Sequence, residues 1–230
     1  MSEPPAADAS DPLVERDPLV ERDSLVERDP LVERDPLVEL VETVARLRAE
    51  CAWKSRQTHR SLARYLLEET HETLEAIDSG DLVHLREELG DLLLQVYFHA
   101  AIAAESRDFD IRDVAADLSA KLVRRNPHVF GDSTATDPAE INEAWEQIKL
   151  TEKSRTTPIE GVPTSLPALL YADKVVDRMQ RAGHPVVDAQ GTVGSRLLAL
   201  VVEAHDAGVD PEQALRDAVR RIAPGSLTTE

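Results

Sequence analysis

Cysteine is nearly missing from this 230-residue chain, with Cys51 standing alone. One thiol cannot close an intramolecular disulfide, so no disulfide framework exists and a reducing compartment fits. With no His-Asp partner near it in the sequence, Cys51 reads as a small apolar residue. Aromatic residues make up only 3%, so Leu, Val, Ile and Ala must build the core. β-branched runs are short and helix formers dominate, which predicts an all-α fold. No apolar run approaches the ~20 residues that span a bilayer. The acidic, Pro-rich N-terminus lacks the apolar stretch of a secretory signal. A cytoplasmic protein with no membrane partner is expected. Basic residues are scarce, 26 against 44 acids, for a formal net charge of −18. That balance excludes general binding to nucleic-acid polymers, which needs a basic footprint. It suits a chain that recruits divalent cations.

What is present first is a repeat. From Asp11 the chain reads DPLVER, DPLVER, DSLVER, DPLVER and DPLVEL. Six residues of helix turn through about 600°, so successive Leu-Val pairs form no stripe, and recurring Pro would break the helix. Residues 1–36 carry eleven acids and four arginines and read as a disordered acidic tail. Residues 37–157 read as a helical domain, and residues 158–230 as a linker and helical C-terminal extension.

Local signals place the helices. Leu37, Leu40, Val41, Val44 and Leu47 recur at helical spacing to about Ala49. Thr58 or Ser61 caps a second helix that ends at Gly80. Asp81 caps a third, running to about Glu105. Asp110 opens a fourth, which Pro127 closes. Asp137-Pro138 starts a fifth, to about Glu152. Weaker helical patterns cover 166–182, 193–207 and 211–222.

The second and third helices concentrate carboxylates. Between Arg64 and Arg86 lie six acids and no Lys or Arg; between Arg86 and Arg107 lie four more. On the second helix Leu62, Leu66, Leu74 and Ile77 mark an apolar side, flanked by Glu69 and Glu72; Glu68 and Glu75 point further toward solvent. On the third, Leu85, Leu89, Leu92, Leu93, Val96 and Ala100 make the main apolar face. Glu88, Asp91, Gln95 and His99 form a polar stripe beside it, and Leu94 and Phe98 occupy the opposite side. A short loop at Gly80 makes the two helices antiparallel neighbours. Each then offers an acidic pair at i, i+3, able to grip one cation. Converging carboxylates take up protons or bind a metal; ordinary solvated helix faces are the plain alternative. All-oxygen ligation favours Mg²⁺ or Mn²⁺ over zinc.

Lys121 and Arg125 share a helix face, with Arg124 adjacent. They could clamp phosphate oxygens, or complement a helix dipole. Trp145 and Lys149 lie one turn apart, and Trp145 suits either a nucleobase platform or a core position. His59, His99 and His128 read as hydrogen-bonding scaffold.

The segments Glu68-Glu69-Thr70-His71-Glu72 and Glu88-Leu89-Gly90-Asp91 resemble the EExxE and ExxD motifs of the MazG nucleoside triphosphate pyrophosphohydrolases, within the all-α NTP pyrophosphatase superfamily. "YLLEET", "LREELGDLLLQVYFHA", "KLVRRNPHVFGD" and "NEAWEQIK" extend the resemblance over roughly residues 40–153. It implies a helical bundle completed by homodimerisation, which would account for Leu94 and Phe98 on an outer face. It also implies Mg²⁺-dependent hydrolysis of NTPs or dNTPs to the monophosphate and pyrophosphate, with Mn²⁺ as a substitute, in cleansing the nucleotide pool. Glu69, Glu72, Glu88 and Asp91 would hold the metal, and Glu68 or Glu72 would take the proton of the attacking water. Lys121, Arg124 and Arg125 would contact the triphosphate; Trp53, His59, Trp145 and Lys149 would contact the nucleotide. The family's CPWDxxQTH loop reads Cys51-Ala52-Trp53-Lys54-Ser55-Arg56-Gln57-Thr58-His59 here, which exchanges an acid for a base. A catalytically silent dimerising module and a narrow dCTP or dUTP pyrophosphatase are the alternative readings.

Overall fold

A computed structural model describes residues 35–152 and 156–222, excluding the side chain of residue 150. The disordered reading of the tail therefore falls almost wholly outside the described residues. Those described form helices α1 (Pro36–Glu50), α2 (His59–Ser79), α3 (Leu82–Glu105), α4 (Ile111–Arg125), α5 (Pro127–Phe130), α6 (Pro138–Glu152), α7 (Ala168–Arg181), α8 (Val193–Asp206) and α9 (Pro211–Ile222), with a 3-10 turn at Lys54–Arg56. No strand occurs among them, so the all-α expectation holds.

Short-range chemistry sets the helix ends. Asp35 caps α1 through the Leu37 amide, with Pro36 at the first position. Thr58 and Ser61 form a reciprocal capping box on α2, so both candidate caps act together. Gly80 ends α2 with φ +72°, a conformation that favours a residue without Cβ. Asp81 then caps α3 through the Val83 and His84 amides. Pro127 stands two residues past the end of α4 at Arg125, as expected, and has a second role. It follows α4 but opens the single turn α5, because its fixed φ suits a first helical position.

The chain divides into two compact units, one up to Lys121 and one from Leu122, with the boundary inside α4. In the first, α3 is central: α2 packs along one side and α1 against another. Val44, Leu62, Tyr97 and Phe98 form its buried cluster, with Leu40, Tyr65, Leu94, Ala101, Ile102 and Ile111 around it. In the second, α7 packs on α8 and α9.

The buried faces differ from those the apolar periodicity indicates. Phe98 is only 3% exposed, and it packs with Val44 of the chain's own α1. Leu94 and Phe98 therefore need no second subunit to cover them. The leucine face of α3 is open in part: Leu89 is 50% exposed, and Leu93 and Val96 are exposed as well, whereas Leu85 and Leu92 are half-buried and Ala100 is buried. On α2 the buried positions are Leu62, Thr73 and Ala76, while Leu66 and Ile77 are exposed. The α2 stripe is rotated beyond its first turns: Leu62 joins the α3 cluster, while farther along it is Thr73 and Ala76, not Leu66 or Ile77, that are buried.

Candidate functional site

That rotation places the carboxylates in the α2–α3 seam. Carboxylate oxygens of Glu69, Glu88 and Asp91 lie within 4.8 Å of one another. Glu88 is 9% exposed, and Thr73 is buried on the facing helix. Turning an acidic stripe inward costs solvation unless a cation compensates. The fold supplies little of that compensation. His84, one turn earlier, approaches Glu88 Oε1 with Nε2 at 2.9 Å. Glu69 is held above the ordinary glutamate range, first by burial and then by the negative charges of Asp91, Glu72 and Glu88.

Of the four acids expected to hold metal, three are thus brought together. The fourth, Glu72, is exposed on α2, near enough for its charge to help raise Glu69. Glu68 is exposed on α2. Three partly desolvated carboxylates under mutual repulsion form an all-oxygen donor set that fits a hard divalent cation, whose remaining positions water would fill.

Farther along α3, Gln95 and His99 continue the seam. Gln95 is 6% exposed; its Nε2 lies 3.5 Å from Glu69 Oε1. His99 Nδ1 meets His59 Nδ1 at 2.7 Å, with the two rings parallel and their centroids 5.0 Å apart. Burial, followed by the neighbouring His59, holds the His99 imidazole below its ordinary pKa. Sequence reasoning set Gln95 and His99 on the polar stripe without assigning them to the site. The i+4 spacing from Asp91 was the available signal.

Trp53 is exposed and meets Tyr65 edge-on at 6.1 Å. Lys54, which stands at the family's acidic loop position, lies over the rings of both Trp53 and Phe98, at 5.3 and 4.8 Å. Arg48, 8% exposed, anchors this loop. It donates to the carbonyl of Gln57 at 2.9 Å and to that of Lys54, and forms a two-pronged pair with Glu105 at 2.7 and 2.8 Å.

Lys121, half-buried, ends the first unit; the other expected basic residues belong to the second. There Arg124 Nε donates to Glu152 Oε1 at 2.8 Å, and Arg125 holds the other oxygen. These contacts, Arg125's first, lower the Glu152 carboxyl to about 2. The Arg125 guanidinium lies 5.4 Å over the Trp145 ring. Lys149 pairs with Glu146 at 2.5 Å.

Comparison with known proteins matches residues 57–130 to the MazG nucleotide pyrophosphohydrolase domain. That stretch contains Glu69, Glu88 and Asp91 of the cluster, and Glu72 as well. A Streptomyces cacaoi relative, an uncharacterized 26.1 kDa protein in the blaB 3' region, is 49% identical over 78% of this chain and 76% of its own length. The nucleoside triphosphate pyrophosphohydrolase/pyrophosphatase MazG of Thermotoga maritima is 38% identical over 80% of this chain and 81% of its own length. The nucleoside triphosphate pyrophosphohydrolase of Escherichia coli K12 is 43% identical over 70% of this chain, which spans 63% of that protein. Acidic seam, motif order and extended identity agree: the chain belongs to the MazG nucleotide pyrophosphohydrolase family.

Proposed function

We propose that this chain is a divalent-metal-dependent pyrophosphohydrolase that converts nucleoside triphosphates to monophosphates and pyrophosphate, serving to cleanse the nucleotide pool. The observation that carries the reading is the convergence of Glu69, Glu88 and Asp91 within 4.8 Å, across a seam that buries part of their charge. Glu72 completes the proposed ligand set, with magnesium the expected ion and manganese a substitute. A bound hard cation offsets triphosphate charge and lowers the pKa of an attacking water. The chain's own residues do the rest. Glu68 or Glu72, both exposed on α2, would take the proton from that water. Lys121, Arg124 and Arg125 would hold phosphate oxygens and offset charge on the leaving pyrophosphate. Arg124 and Arg125 would exchange Glu152 for phosphate as they do so. Trp53, His59, Trp145 and Lys149 would contact the nucleotide.

Leu89, Leu93 and Val96 support a homodimer, because they leave an apolar face of α3 open; sedimentation velocity would measure it. The charge balance argues against nucleic-acid partners. Among the described residues no helix is long and apolar enough to cross a membrane, and the lone cysteine agrees with a cytoplasmic setting.

A panel of NTPs and dNTPs, with pyrophosphate release followed in Mg²⁺ and in Mn²⁺, tests the reading. Metal-dependent release that Asp91→Asn abolishes, with helicity unchanged, supports it. Equal turnover in Asp91→Asn rejects the site. A silent dimerising module is favoured by one observation, the engagement of Arg124, Arg125 and Lys149 in internal pairs; no release from any nucleotide would establish it. Release from dCTP or dUTP alone would mark a narrow-specificity enzyme.

A further inference from the structure

Helix α8, in the second unit, has two unlike sides. Ser195 and Val201 are buried, and Leu198 and Val202 half-buried, where α8 packs with α7 and α9. On the other side Val193, Leu197 and Leu200 are each more than half exposed. Their spacing of four and then three residues makes one apolar stripe, and the half-buried Ala204 continues it at the next step of four. Arg196 and Glu203, both exposed, border this stripe on one flank, two turns and about 10.5 Å apart. Within the described residues neither side chain takes part in an ion pair or a hydrogen bond.

An apolar stripe of this spacing pairs one helix with another, and the charges beside it select the partner and its direction. Here they select α8 of a second copy, running antiparallel. A two-fold axis between Leu197 and Leu200 sets Leu197 against the partner's Leu200, and Val193 against the partner's Ala204. The midpoint of Arg196 and Glu203 falls about one residue from that axis, so Arg196 comes level with the partner's Glu203, twice over. Such self-complementarity is what a closed two-fold contact requires. A parallel pairing would instead set Arg196 level with the partner's Arg196. The other open stripes lack the couple. On α3, Leu92 and His99 hold the matching positions beside Leu89, Leu93 and Val96. On α9, Leu215, Val219 and Ile222 are exposed, but no acid and base stand seven residues apart along that helix.

We propose that the exposed face of α8 docks antiparallel on α8 of a second copy of this chain, with Arg196 and Glu203 paired across the axis. This surface is distinct from the α3 face of the first unit, and it gives the C-terminal extension a role in self-association.

The test is sedimentation equilibrium of the full chain in a Leu93→Glu background, which charges the open α3 face so that the remaining association reports α8. The background should still associate, and Leu197→Asp should abolish it. Arg196→Glu and Glu203→Arg should each weaken association about tenfold, since two attractive couples become repulsive. An equimolar mixture of those two variants should recover the strength of the background, because in the mixed dimer both couples are again opposite in sign. All the substituted positions are exposed, and circular dichroism checks that helicity is kept. No association of the background up to its solubility limit overturns the inference, as does association indifferent to Leu197→Asp. A mixture no stronger than its separate components also overturns it, and is the result expected if the α8 face docks on a different helix or a different protein.

Discussion

Replacing Glu88 by glutamine separates the charge of the acidic seam from its shape. In the metal-free protein Glu88 faces Glu69 and Asp91, with oxygens within 4.8 Å. Two unit charges at that distance repel by about 1 kcal/mol in bulk water and about 3.5 kcal/mol at an effective dielectric constant near 20. Glu69 and Asp91 are half-buried, so the lower part of that range applies. The glutamine oxygen can still accept from His84 Nε2, now 2.9 Å from Glu88. Glu88→Gln should therefore stabilise the metal-free protein by about 1–2 kcal/mol, raising Tm by roughly 2–8 °C. Magnesium should act in the opposite sense on the two proteins' ranking. At a hundredfold excess over Kd it stabilises the wild type by about 2.7 kcal/mol, and the variant, short of one ligand, by much less. Thermal melts of both proteins with EDTA and with Mg²⁺ supply the comparison. A lower metal-free Tm in Glu88→Gln, or an undiminished response to Mg²⁺, would refute the claim that repulsion is stored for a cation. Proton linkage gives an independent sign. The pKa of Glu69 is raised in the fold above its ordinary 4.5, so the folded state keeps that proton to higher pH than the unfolded chain. The destabilising cost is absent below 4.5 and grows as pH rises through the raised value. Acidifying the metal-free wild type from neutrality should relieve this cost, and Glu69→Gln should remove that gain.

Arg48→Met should cost about 2–3 kcal/mol in urea denaturation, because it strands two loop carbonyls and one side of a carboxylate pair. Arg48→Lys should recover little, since a point charge cannot replace the two-pronged contact. Phe98→Ala should cost about 3–5 kcal/mol by removing a buried ring from the α1–α3 contact, with amide exchange accelerated in α1 before α2. Glu152 is lowered from 4.5 to about 2 by Arg125 and Arg124. Its contribution is therefore complete above 4.5 and is lost as pH falls toward 2. Trp145 fluorescence in a Trp53→Phe background should report that acid-labile step, and Glu152→Gln should abolish it. Gly80→Ala should cost about 1–2 kcal/mol in Tm-based stability, since φ is +72° with open space where a Cβ would stand, so the penalty is conformational alone.

Agreement between sequence and structure is closest where interactions span a few residues. Asp35, Thr58, Asp81 and Asp137 accept from nearby backbone amides, and each of these contacts is specified by a side chain and the turn that follows it. The acids of α2 and α3 were legible for the same reason: their i, i+3 spacing and lack of basic neighbours are properties of one segment and a short loop. Which side of each helix is buried was not legible in this way. Apolar period identifies Leu66, Ile77, Leu89 and Leu93 as a hydrophobic surface, yet those residues are exposed, while Thr73, Glu88 and Gln95 are buried. A period describes a stripe and carries no information about what will cover it.

Composition, capping and motif order by themselves determined an all-α chain, most of its helix boundaries and its acidic character, because those depend on propensity and contacts within a turn or two. Only the tertiary structure decided that α2 and α3 meet through their carboxylates, that α1 covers Phe98, and that Gln95 and His99 continue the seam beside the acids. Those outcomes depend on how packed helices rotate about their own axes. That rotation is settled by competition among all the faces at once, between burying leucines and closing a charged seam.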